Sequence, residues 1–196
     1  MDGPRPFAEW LGSLKDERGR GVIRARLRRL QLGNFGDCRA IGGGLSELRV
    51  HFGPGYRVYY GQEGQQIVLL LCAEPKQRRA RISPEQGSIG KITGVEPMPT
   101  SVSYDDYLIE SLKDPREAEG YLNAALEDED PRVFLLALRD VAKALGGMSK
   151  AAVRSKLNSE SLYRMLLKKG APSIQSLGAL LDSLGFRLAV ERKRAA

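Results

Sequence analysis

The sequence predicts an α+β protein: a helical hairpin on an antiparallel-rich sheet, followed by an all-α domain. Three observations carry this. Apolar residues recur at helical spacing from Phe7 to Leu30, alternate with polar ones between Glu47 and Tyr60, and return to helical spacing in the second half. The stretch 83–103 has no period and is punctuated by Pro84, Gly87, Gly90, Gly94, Pro97 and Pro99, as a linker is. Charge then divides the chain in the same places. Residues 1–82 carry a net +7, residues 105–130 a net −8 and residues 131–196 a net +9, so the overall +7 is a remainder of larger opposed charges. Two polyanion-binding surfaces with an acidic stretch able to mask one of them would give this pattern, and so would solvated helix faces that segregate by sign.

The 196 residues suit one large domain or two small ones, and 42% hydrophobic content is enough for a packed core. The longest apolar run, Ile67–Ala73, is far too short to span a membrane, and Met1–Pro6 has no signal-peptide pattern. Two cysteines, Cys38 and Cys72, make no disulfide framework, and with His51 as the single histidine they make no typical zinc site. The expectation is a cytoplasmic protein without metal or other cofactor.

Phe7, Trp10, Leu11 and Leu14 form one stripe of a short helix. Ile23, Leu27 and Leu30 repeat it among Arg20, Arg24, Arg26, Arg28 and Arg29, giving a hairpin with a basic outer surface closed by Gly33-Asn34. Leu48, Val50 and Phe52, then Tyr56, Val58 and Tyr60, alternate with polar residues around Gly53-Pro54-Gly55. If the turn is 53–55, Phe52 faces Tyr56, Val50 faces Val58 and Leu48 faces Tyr60, with Arg49, His51 and Arg57 on the other face. Ile67–Cys72 reads as a central buried strand, and Ile89–Val95 as a possible added one. Asp114-Pro115 and Asp130-Pro131 are N-cap and first-turn signatures. Phe134, Leu138, Val141 and Leu145 form a stripe ending at Gly146-Gly147, and Ser149 caps the next helix, to about Lys156. Asn158 caps Ser159–Lys168. Ser173 opens a helix with Ile174, Leu177, Leu181 and Leu184 inside, and Phe186–Val190 reads as a terminal strand.

Two short helices joined by a three-residue turn, packed by flanking helices, are the layout of a helix-turn-helix. In the second, Leu162, Met165 and Leu166 face inward. Ser159, Glu160, Ser161, Tyr163 and Arg164, with Lys150, Lys168 and Lys169 nearby, are the candidates to meet DNA bases and phosphates. A structural helix pair would look similar. The segments Ala137-Leu138-Arg139-Asp140-Val141-Ala142, Gly147-Met148-Ser149 and Glu160-Ser161-Leu162-Tyr163-Arg164 resemble HigA-type antitoxins of the phage-repressor-like helix-turn-helix class, over about 103–190. That resemblance implies operator-DNA binding and inhibition of a cognate toxin; a homodimer is the expected assembly.

In the first half, Leu30–Asp37, Ser46–Val50, Phe52-Gly53-Pro54-Gly55-Tyr56-Arg57-Val58-Tyr59 and Leu69–Cys72 with Lys76 resemble HigB-like toxins of the RelE/ParE superfamily, over about residues 6–80. The RelE branch implies an endoribonuclease that cuts messenger RNA, usually on the ribosome, with RNA or the ribosome as its partner, and the ParE branch a gyrase-directed toxin. RNA cleavage needs a base for the ribose 2′-OH, cations on the phosphate and an acid for the leaving oxygen. Arg49 and Arg57 suit the phosphate, His51 the proton transfers, and Lys76 matches the family lysine. Arg24 and Arg28 could grip RNA and Tyr59 stack a base. The plainer readings remain open: Arg49 pairing with Glu47 or solvent, an ordinary strand histidine, and a solvated arginine face.

The expected organisation is therefore a toxin-like domain (1–82), a linker (83–103) and an antitoxin-like domain (104–196). Tethering raises the inhibitor's effective concentration to about the millimolar range, so the acidic 105–130 segment could hold the ribonuclease neutralised. The alternative is a DNA-binding repressor with a degenerate toxin-like half.

Overall fold

A computed structural model describes residues 6–42, 44–63, 66–75, 104–167, 171–190 and 192. Among them the chain forms α1 (Pro6–Ser13), α2 (Glu17–Gln31), β1 (Cys38–Gly42), β2 (Leu45–Val50), β3 (Tyr56–Glu63) and β4 (Gln66–Pro75), followed by helices alone: α3 (Tyr104–Ser111), α4 (Pro115–Leu126), α5 (Pro131–Ala144), α6 (Met148–Ser155), α7 (Ser159–Met165) and α8 (Ile174–Ser183). The mixed helix-and-sheet architecture thus matches the change of hydrophobic period along the sequence.

Capping explains most helix starts. Asp16 accepts from the Gly19 amide at 3.0 Å, and Asp114 and Asp130 accept from the amides of Arg116 and Arg132 ahead of Pro115 and Pro131. Asn158 and Ser173 cap α7 and α8 as their positions suggested. Helix α6 differs from expectation. Its N-cap is Gly147, at φ +93, with no side-chain cap, and Ser149 lies inside the helix.

The four strands form one antiparallel meander in the order β1-β2-β3-β4. Three expectations are corrected here. The hairpin is two residues longer in its loop: Val50 pairs with Tyr56, Leu48 with Val58 and Ser46 with Tyr60, so that Arg49 stands opposite Arg57. Gly53 (φ +55) and Gly55 (φ +80) both adopt left-handed backbone, and the Gly55 amide donates to the Phe52 carbonyl at 2.9 Å, which puts His51 and Phe52 in the turn. An even slip leaves each side chain on its expected face, so the alternation could not detect it. Strand β4 is at an edge of the described sheet rather than its centre, and β1, whose Cys38-Arg39-Ala40-Ile41-Gly42 lacks a clear alternation, adds the opposite edge. Phe186–Val190 carries no strand, and Ile89–Val95 lies outside the described residues.

Two apolar cores result. Phe7, Leu11, Ile23, Leu27 and Leu30 pack on Leu48, Val50, Tyr56, Val58 and Tyr60 of the sheet. The second core centres on α5, with Val133, Leu138 and Val141 wholly buried among Leu108, Leu112, Tyr121 and Leu162. Leu177, Leu180, Leu181 and Leu184 bring α8 into it, whereas Ile174, expected inside, is 80% exposed at the start of that helix. Helix α2 belongs to both cores, because Ala25 joins the second. Its arginine face is therefore not the outer surface that the sequence suggested.

Candidate functional site

The polar face of the sheet carries Glu47, Arg49, Arg57 and Tyr59. Alternation puts them there, opposite the residues of the first core. Arg49 and Arg57 are direct cross-strand partners, an unfavourable like-charge pair offset by a shared anion. Glu47, buried, accepts from Arg49 Nε at 2.7 Å and from Arg57 Nη1 at 3.2 Å. Burial would push its carboxyl up, but the Arg49 hydrogen bond and the charge of Arg57 hold it below the usual range. Sequence reasoning had Glu47 only as a possible partner of Arg49. Its place two residues before Arg49 on an alternating strand was the signal that it shares the face of both arginines.

His51 is exposed in the turn, and its Nε2 donates to Asp37 Oδ2 at 2.6 Å. That hydrogen bond, with the charge of Arg49 added, lowers the Asp37 carboxyl. The pair has the form of a base oriented by a carboxylate. Tyr59, expected to stack a base, is only 4% exposed. It lies opposite Glu47, and burial and that charge raise its hydroxyl, so its ring offers no open face. Lys76 lies outside the described residues.

Arg24 and Arg28, expected to grip RNA from an exposed helix, are 1% and 7% exposed. They are buried in a seam between α2 and the α3–α5 layer. Arg20, Arg24 and Arg28 recur at i, i+4 and i+8 and so make one stripe. Arg20 and Arg24 both donate to Glu117 of α4. Arg28 donates to Asp140 of α5 at 2.8 Å and to Asp105 of α3 at 2.7 Å, and the Tyr121 hydroxyl also donates to Asp140, at 3.1 Å. Arg29 reaches Asp128 at 3.4 Å and Glu129 at 3.0 Å. Burial works against the charge of Arg28, but Asp140, Tyr121, Tyr104 and Asp105 together outweigh it and raise the guanidinium's pKa. For Asp140 burial prevails, holding its carboxyl above the usual value. The helices meet at two glycines: a methyl group on Gly21 would collide with the Gly120 carbonyl. Acids of the net −8 segment, with Asp140, therefore pair with Arg18, Arg20, Arg24, Arg28 and Arg29 of α2 but, among the described residues, not with Arg26, while Arg49 and Arg57 keep Glu47 as their shared anion. Asp140 was legible only as an acid inside the apolar Phe134–Leu145 stripe.

A cavity of about 470 Å³ opens beside this seam. Arg26, Arg29, Arg49 and His51 line it from one side, and the acidic turn Glu127-Asp128-Glu129 lines it from the other.

Helices α6 and α7 are joined by three residues, Lys156, in left-handed backbone at φ +56, Leu157 and the N-cap Asn158. Leu162 and Leu166 are buried. Lys150, Ser159, Glu160, Ser161, Tyr163 and Arg164 are exposed along one surface, whereas Lys168 and Lys169 lie outside the described residues. An exposed Tyr beside Arg and Ser is a set able to meet a polar, anionic partner.

The family comparison bears on this helical layer. Residues 104–192 match the model of a family described as probable addiction module antidote protein. These residues belong to that family. The match begins at α3, where the acidic segment begins, and an antidote implies a toxin partner, which places the chain in a toxin–antitoxin system. Two proteins of Haemophilus influenzae (strain ATCC 51907 / DSM 11121 / KW20 / Rd), both described as uncharacterized, are similar to it. One is 46% identical over 70 residues, covering 36% of this chain and 71% of that protein. The other is 30% identical over 87 residues, covering 44% of this chain and 89% of that protein. No solved structure matches. No described helix is long and apolar enough to cross a membrane.

Proposed function

We propose that this chain is a fused type II toxin–antitoxin protein. Residues 1–82 are the toxin, an mRNA endoribonuclease, joined through 83–103 to an antidote, residues 104–196, that neutralises it and represses transcription by binding operator DNA. The observation that carries this reading is the seam. Carboxylates of the antidote-family half, Glu117, Asp105 and Asp140, bury the α2 arginines of the other half, as an inhibitor would that occupies a surface built for a polyanion.

The chemistry assigned to the first half divides among its residues. Arg49 and Arg57 stabilise the charge that accumulates on the phosphorane, once Glu47 yields them. His51, oriented by Asp37, takes the ribose 2′-OH proton and returns it to the leaving 5′-oxygen as the P–O5′ bond breaks, and Lys76 supplies a further cation. In the second half Lys150, Ser159, Glu160, Ser161, Tyr163, Arg164, Lys168 and Lys169 form the DNA-reading surface, in a homodimer on a symmetric operator.

Expression of residues 1–82 alone, compared with the full chain, tests the reading. Growth arrest with mRNA cleavage from the first and none from the second is expected. Equal cleavage, or none from either, would overturn the latent enzyme. A second reading, a non-enzymatic repressor with a degenerate toxin-like half, is favoured by Glu47 neutralising both sheet arginines and by the burial of Tyr59. Operator binding without cleavage by residues 1–82 is its signature.

A further inference from the structure

We propose that Arg26, together with Arg49 and His51, forms a subsite for a phosphodiester of single-stranded RNA in the cavity beside the seam, and that the turn Glu127-Asp128-Glu129 competes for it. The proposal rests on the ribonuclease reading of the first half and names a residue and a regulatory contact that the reading does not contain.

Arg26 stands apart on its helix. Arg20, Arg24, Arg28 and Arg29 each have a carboxylate of the antidote half within ion-pair distance, as does Arg18 with Glu127 at 3.5 Å. Arg26 has none among the described residues, although it is half-buried and lines the cavity. Its guanidinium rests against Gly36, and the neighbouring Asp37, whose charge it feels without an ion pair, is hydrogen-bonded to His51 and lies 3.8 Å from Arg49 Nη1. A half-buried guanidinium that faces a cavity and has no carboxylate in an ion pair with it among the described residues is suited to bidentate capture of a tetrahedral anion.

The cavity also fits the occupant. Arg49 and His51 line the same space from the sheet side, so a phosphate held by Arg26 lies in the cavity that holds the proposed reacting groups. The opposite wall already places anions on its cations: Arg29 holds Asp128 at 3.4 Å and Glu129 at 3.0 Å. Those carboxylates stand where an entering RNA backbone would bring its phosphates. Glu127 and Glu129 are exposed at the rim, so repulsion between them and an incoming phosphate acts without any movement of the core.

Binding of a short fluorescein-labelled single-stranded RNA to the full chain at low salt, read by anisotropy, tests this. Arg26→Gln is expected to weaken binding about tenfold, the loss of one charge-assisted contact to phosphate. The double variant E127Q/E129Q is expected to tighten it about three- to tenfold. Arg39→Gln, an exposed arginine of β1 outside the cavity, leaves affinity unchanged, and melting temperatures establish that each variant is folded. Unchanged affinity in Arg26→Gln, or in E127Q/E129Q, would overturn the proposal, as would no RNA binding by any form. Binding that depends on Arg26 without cleavage by residues 1–82 leaves the subsite standing and overturns the ribonuclease reading instead.

Discussion

The seam on α2 and the polar face of the sheet both set arginines against carboxylates, with opposite consequences. On the sheet, Arg49 and Arg57 share one acid of the same hairpin and remain partly exposed, 34% and 21% at the side chain. In the seam, Arg24 and Arg28 are buried against acids from sequence positions 77 to 112 residues away. A partly exposed arginine can exchange its carboxylate for a phosphate at modest cost, because water replaces what is lost. A buried one cannot, since leaving either partner uncompensated is strongly unfavourable. The same residue type is thus available chemistry in one place and structural in the other.

Breaking the seam should produce the largest effect. Asp140→Ala leaves Arg28 without its buried anion and is expected to cost about 3–5 kcal/mol, measured by urea denaturation of the full chain. A loss below about 1 kcal/mol would mean that the seam is wetter than its burial indicates. Glu117→Gln, which weakens the bonds from Arg20 and Arg24, should cost about 2 kcal/mol at neutral pH. Burial pushes the Glu117 carboxyl up, but those two hydrogen bonds outweigh it and hold it below the ordinary 4.5. Its contribution is therefore present above pH 4.5 and lost as pH falls through the lower folded value. Stability of Glu117→Gln and of the parent chain, measured against pH, should converge in acid; a constant difference would contradict the assignment.

Gly21→Ala forces α2 away from the Gly120 backbone and should cost about 1–3 kcal/mol in thermal unfolding. On the sheet, Glu47→Gln should cost less, about 1 kcal/mol, while it frees Arg49 and Arg57 and raises RNA affinity. Weaker RNA binding in that variant would show that Glu47 orders the arginines rather than neutralising them. The smallest effect belongs to the most exposed seam pair. Arg18 and Glu127 are 72% and 64% exposed at the side chain, and Arg18→Ala should change stability by no more than about 0.5 kcal/mol.

How much of this was legible in the sequence depends on the distance over which each feature is decided. Helix starts at Asp114, Asp130, Asn158 and Ser173 were readable because a cap joins a side chain to an amide two or three residues on. The two faces of the hairpin were readable from alternation, and so was the shared face of Arg49 and Arg57. Their partners in the hairpin were not, because a slip of two residues preserves every face and the glycine turn chose between registers. Ile174 shows the limit of periodicity: it continues the stripe of α8 one turn beyond the core that the stripe serves.

The sequence by itself determined the change from helix to sheet to helix, the caps, the segregation of charge and the basic stripe of α2, since each depends on neighbours along the chain. Tertiary structure alone decided that the stripe is buried, that Glu117 and Asp140 are its counterions, and that Arg26 is left facing a cavity. Arginines 24, 26 and 28 are alike in sequence, and what separates them is which carboxylates the packing of α2 on α4 and α5 brings within reach. That packing depends on Gly21, whose missing side chain lets its backbone approach that of Gly120, 99 residues away, a contact that no local pattern records.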